Sequence, residues 1–134
     1  MNGDSFVGLV IVSHSAAIAS GLAELVAQVA GPDVPIVTAG GGPEGTLGTD
    51  GGRVLEALRT IDGAGAVVLA DLGSSLLSVR AALAELSPGQ AKRIVLANAP
   101  LVEGAIAAGV TASTGASLTE VAAAAEEARN VPKF

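Results

Sequence analysis

The amino-acid sequence predicts an α/β domain: a three-layer αβα sandwich around a central, mainly parallel four-stranded sheet. Short apolar runs rich in Val and Ile alternate with longer stretches of helical periodicity, the pattern of strands joined by crossover helices. The strand runs lack polar alternation, which fits strands buried on both faces. The polar and glycine-rich residues gather where those runs end, the edge of an open parallel sheet at which ligands bind. At 134 residues, with no linker or repeat, the chain is predicted to be one domain spanning 1–134.

Val7 to Val12 is the first strand, a continuous apolar run that stops at Ser13-His14-Ser15. Ile18, Leu22, Leu25 or Val26, and Val29 then recur at helical spacing, and Gly31-Pro32 is a stop, so a helix is predicted over Ala16 to Ala30. Pro35 to Ala39 is the second strand. The loop from Gly40 to Gly52 holds seven glycines in thirteen residues, too many for a packed element. A helix follows from Arg53 to Ile61. Ala66 to Ala70 is the third strand, ending at Asp71-Leu72-Gly73-Ser74-Ser75, with a helix predicted from about Leu76 to Leu86 and closed by Ser87-Pro88-Gly89. Ile94 to Ala97 is the fourth strand, ending at Asn98. Two helices complete the chain, Leu101 to about Thr114 and Ser117 or Leu118 to Arg129, the second opened by a capping box of Ser117 and Glu120. The residues after Gly115 read as helical and 130–134 are few, which leaves a fifth edge strand undecided.

Composition narrows the chemistry. With no Cys and a single His, thiol nucleophiles, disulfides, Cys-based zinc or iron–sulfur sites and two-histidine metal motifs are excluded. No metal or cofactor is called for. A net charge of −6 with seven basic residues argues against nucleic acid or an anionic membrane surface as partner. The uncharged stretch Ser5 to Ala23 is preceded by Asp4 and broken by Ser13, His14, Ser15 and Ser20, so it reads neither as a signal peptide nor as a membrane span. A cytoplasmic protein is expected.

A lone histidine is often no more than a partly buried structural residue. His14, however, ends a buried central strand just before a helix start, where free N–H groups and the positive helix end meet an anion. Asp71 ends the strand expected beside it. A carboxylate that accepts Nδ1–H would fix the tautomer and leave Nε2 basic and free, as a nucleophile or proton carrier needs; Asp71 also reads as a simple turn or N-cap residue. Gly73-Ser74-Ser75 makes a small phosphate-sized anion site, or only a serine cap. The glycine-rich loop lacks both the G-x-x-x-x-G-K-[ST] string and a dinucleotide fingerprint. A Ser-His-Asp hydrolase fails for want of a G-x-S-x-G elbow.

Four blocks, V-I-V-S-H-S (10–15), G-T-L-G-T-D (45–50), A-D-L-G-S-S-L-L-S (70–78) and N-A-P-L-V-E-G-A (98–105), occur in order over nearly the whole chain. Together they resemble the phosphotransferase subunits (DhaM) of phosphoenolpyruvate-dependent dihydroxyacetone kinases, relatives of the mannose-type IIA (EIIA) domains of the sugar phosphotransferase system (PTS). The resemblance implies that His14 is phosphorylated on Nε2 by the phosphocarrier HPr, with Asp71 holding Nδ1. It implies that the phosphoryl group passes to ADP on the subunit DhaL, alongside the kinase subunit DhaK, and that the protein is a homodimer. Ser15, Thr49, Gly73, Ser74 and Ser75 are then the phosphate-side residues, and Asp50 caps the helix after the loop. Members with HPr-like and enzyme-I-like domains exist; with the chain ending at Phe134, HPr is expected to be a separate protein. Two other functions share the fold: a IIA component that serves a mannose-type permease and passes phosphate to a IIB domain, and a non-catalytic ligand-binding module.

Overall fold

In the computed structural model, which describes residues 5–61 and 63–134, the four apolar runs form one parallel sheet: β1 (Gly8–Ser13), β2 (Ile36–Gly40), β3 (Ala66–Ala70) and β4 (Ile94–Leu96). The strand order is β2-β1-β3-β4, with every pair parallel. Six helices join and follow them: α1 (Ala16–Ala30), α2 (Gly51–Thr60), α3 (Gly73–Ala84), α4 (Pro88–Ala91), α5 (Leu101–Ala112) and α6 (Leu118–Glu127). Two 3-10 turns are present among the described residues, Pro43–Gly45 between β2 and α2 and Ala128–Asn130 at the end of the helical part. Four strands are present among the described residues and none follows α6.

The sheet is covered on both faces because its strands are apolar on both. Leu9 and Ile11 of β1, with Val67 and Leu69 of β3, pack under α1, α5 and α6. The alternate residues Val10, Val12 and Val68 pack under α2 and α3. Burying each large aliphatic side chain contributes about 1.5–3 kcal/mol before the cost of ordering the chain. The facing helices meet the sheet largely with alanine: Ala105, Ala108 and Ala112 of α5 are fully buried, which brings the layers close.

Several boundaries differ from the sequence expectation: α2 opens at Gly51, inside the segment read as a loop, because Asp50 caps it there, and α3 ends at Ala84. Helix α3 starts at Gly73, so Gly73, Ser74 and Ser75 form its first turn and not a turn before it. Ser87-Pro88-Gly89 opens a short helix of its own, α4, with a capping box between Ser87 and Gln90.

This topology fixes where a ligand can be met. From the β1/β3 pair the chain order runs outward in opposite directions, so the crevice beyond the carboxyl ends of β1 and β3 is the switch point of the sheet. The register sets Val12 opposite Ala39 on one side and Ala70 on the other. The residues that leave the sheet at this point are His14 from β1 and Asp71 from β3. Gly40, paired with Ser13, allows the end of β2 to pass beneath the start of α1; a Cβ there would lie 2.8 Å from the Ala16 Cα and 2.9 Å from the Ser15 carbonyl oxygen.

Candidate active site

The two strand ends bring His14 and Asp71 into contact. The Asp71 N–H donates to the Val12 carbonyl (3.2 Å), which continues the β1/β3 ladder one residue past the sheet. The aspartate side chain then turns back on β1. Its Oδ2 accepts the Ser13 hydroxyl (2.8 Å) and the His14 backbone N–H (2.9 Å). Its Oδ1 accepts the His14 ring at Nδ1 (2.9 Å), the Ser75 hydroxyl (2.7 Å) and the Leu72 N–H (2.6 Å). Ser13 and Ser75 are fully buried.

Burial alone would raise the Asp71 pKa, but the donors outweigh it: the Ser75 hydroxyl, the backbone N–H groups of His14 and Leu72 and the His14 ring hold the carboxyl well below the usual carboxylate range. An ionised carboxylate can only accept. The proton in the Asp71–His14 contact therefore belongs to Nδ1, and the neutral ring carries its lone pair on Nε2. Ser75 spends its own proton on Asp71, so its oxygen can only share the Nδ1–H, from 3.1 Å away. On the other edge of the ring, Nε2 meets the Ser74 hydroxyl, which is the donor when the ring is neutral. The imidazole is 26% exposed and the carboxylate 14%, so the orienting group is the more shielded of the two.

Two helices begin beside this ring. Ser15 caps α1 by accepting the Ile18 N–H at 3.2 Å, which leaves its hydroxyl proton free to donate. At α3 the cap position is Leu72, and no side chain caps the helix. The leading N–H groups at Gly73 and Ser74 have no acceptor within the helix and carry its positive end.

The glycine-rich loop straps the site from the β2 side. Gly41 N–H donates to the Ser13 carbonyl (3.1 Å) and Gly48 N–H to the His14 carbonyl (2.9 Å). Gly48 has a φ of +129°, a conformation open to glycine and strained for other residues. The Thr49 hydroxyl pairs with Ser78 of α3 at 2.8 Å, which ties the loop to that helix. Asp50 caps α2, accepting from Gly52 N–H at 2.9 Å.

The structure thus gathers the predicted residues but divides them. Asp71 and Ser74 meet the His14 ring directly, while Ser15 and Gly73 stand at the first turns of α1 and α3. The Ser75 hydroxyl is on the Nδ1 side, supporting Asp71, and the Thr49 hydroxyl is engaged with Ser78. Sequence reasoning missed the parts played by Ser13 and Ser78; the one signal for Ser13 was its place beside His14 at a strand end. Among the described residues, no group of three or more His, Asp or Glu side chains could hold a metal ion, and no helix is long and apolar enough to cross a membrane.

Residues 8–122 match the family model described as the PTS system fructose IIA component, EIIA-man. Listeria innocua has a phosphoryl donor subunit, DhaM, of phosphoenolpyruvate-dependent dihydroxyacetone kinase 2 that is 34% identical over 105 residues, covering 78% of this chain and 84% of that one. This chain belongs to the DhaM branch of the EIIA-man family. A Providencia stuartii DhaM is 44% identical over 126 residues, 91% of this chain but 26% of that protein, so the chain spans about a quarter of this relative's length. The crystal structure of the unknown function protein EF1359 superimposes with a TM-score of 0.80 at 34% identity, covering 90% of this DhaM-family chain and 93% of the other.

Proposed function

We propose that this chain is a phosphohistidine relay, a phosphotransferase that takes a phosphoryl group from HPr onto Nε2 of His14 and delivers it to ADP bound on DhaL, in complex with DhaK. The observation that carries this reading is the contact at Nδ1: Asp71 engages that edge of the ring, which leaves the lone pair of the neutral imidazole on Nε2. The relatives' description as phosphoryl donor subunits supports the same chemistry. In phosphoryl transfer the protein's task is mainly positioning and stabilisation of the equatorial oxygens. Here the Gly73 and Ser74 amides at the start of α3 and the Ser15 hydroxyl meet those oxygens, while Ser75 steadies Asp71 and Thr49, latched to Ser78, keeps the rim of the loop in place. On this reading the protein is cytoplasmic and works as a homodimer.

The test is labelling with phosphoenolpyruvate, enzyme I and HPr. The parent takes up acid-labile phosphate and His14→Ala takes up none; equal labelling of both sinks the assignment. Adding DhaL, ADP and DhaK then discharges the label to dihydroxyacetone. The family description as a sugar IIA component favours a second reading, in which a IIB domain is the acceptor; discharge to IIB and not to DhaL would select it.

A further inference from the structure

Ser74 is the one side chain that hydrogen-bonds Nε2 among the described residues, and in the neutral ring, whose proton Asp71 holds at Nδ1, it does so as a donor. A nucleophile whose lone pair is already engaged is less reactive than a free one. Ser74 is itself exposed, on the first turn of α3, and its hydroxyl has no second partner among the described residues. Ser75, one residue on, is buried and held between Asp71 and the ring. One serine is therefore held by two partners in the interior and the other by a single partner at the surface.

We propose that the Ser74 hydroxyl is a displaceable cap on Nε2, which restrains the imidazole between turnovers and swings aside when a donor seats its phosphoryl group. This rests on His14 being the phosphoryl acceptor. In the step itself the Nε2 lone pair forms the new N–P bond as the donor's bond to phosphorus breaks, and the donor group leaves with that bonding pair. The Nδ1 proton stays shared with Asp71 throughout. The Ser74 proton is not transferred; the hydroxyl breaks its hydrogen bond to Nε2 by rotation about χ1. The Ser74 backbone N–H remains in place for the phosphoryl oxygens, so removing the hydroxyl removes the cap and leaves the cradle.

The experiment uses Ser74→Ala and Ser74→Thr in the full chain, with two readouts. In the unphosphorylated protein, the 15N resonance of His14 Nε2 moves downfield in Ser74→Ala, as a lone pair that loses a donor does, and stays near the parent in Ser74→Thr. With phosphoramidate as donor, which releases ammonia and needs no partner protein, Ser74→Ala is labelled about 3- to 10-fold faster than the parent, the factor that corresponds to one hydrogen bond, and Ser74→Thr is not. An unmoved Nε2 resonance, or a Ser74→Ala rate equal to or below the parent, overturns the cap. Absence of label on His14 in the parent would instead overturn the relay, while the resonance would still report on the contact.

Discussion

The Asp71 carboxylate holds His14 at two points: Oδ2 accepts the backbone N–H and Oδ1 the ring Nδ1–H, both at 2.9 Å. The first bond fixes where the residue leaves β1 and the second fixes the plane and tautomer of its ring. An amide in place of the carboxylate offers one acceptor to five donors. Asp71→Asn is expected to lower stability by about 1–3 kcal/mol and to slow phosphorylation by about 10³- to 10⁴-fold, because the ring proton is free to move to Nε2. Initial labelling rates and the imidazole 15N pattern check this; an unchanged rate removes the carboxylate from the mechanism.

Acid should weaken the fold through the same residue. The Asp71 pKa is depressed in the native state, so between its native value and the ordinary value of about 3.9 the unfolded chain binds more protons. The stabilisation is complete above the ordinary value and drains away as pH falls below it. Urea unfolding from pH 6 to pH 2.5 should therefore show the gap between the parent and Asp71→Asn narrowing with acidity; a gap constant across the range excludes the carboxylate as its source.

Ser13→Ala removes a fully buried hydroxyl that donates to Asp71 Oδ2 and accepts the Ser15 N–H at 3.1 Å. The loss of both bonds should cost about 1–3 kcal/mol, measured by denaturant unfolding, and should reduce the phosphorylation rate less than Asp71→Asn does. Ser13→Thr, which restores the hydroxyl, is expected to recover part of the rate.

The latch between Thr49 and Ser78 spans 29 residues of sequence. Thr49→Val and Ser78→Ala should each release the loop, seen as faster hydrogen exchange at Gly48, and the double variant should add little beyond either one, a coupling of about 0.5–1.5 kcal/mol. Additive effects would mean that the two hydroxyls act apart.

Gly40→Ala places a methyl group against the backbone of Ala16 and Ser15. The expected cost is about 1–3 kcal/mol, with a shifted His14 amide resonance because α1 starts two residues after the histidine. Gly21→Ala, where nothing lies within 4 Å, is the control and should be neutral or stabilising.

The four strands and the meeting of His14 with Asp71 could be read from the sequence because both follow from local rules: apolar runs define β1 and β3, and parallel neighbours bring their next residues together. The start of α3 could not. Gly73-Ser74-Ser75 has poor helix propensity and reads as a turn, yet the Ser75 bond to Asp71 and the packing of Val79 and Ala82 on the sheet draw the helix back to Gly73. The division of labour among the serines was hidden for a related reason. Adjacent residues in a first helical turn point about 100° apart, so Ser74 and Ser75 face opposite edges of one ring. Which edge each takes depends on the roll of α3 against β3, set by side chains far from the motif.

Because His14 is moored between the two central strands, its reactive nitrogen cannot travel between a loading and an unloading position. Donor and acceptor proteins must each come to the same atom and cover the same mouth, so on the relay reading they exclude one another. Throughput would then depend on how quickly each visitor departs, and an interface that bound either of them too firmly would stall the traffic.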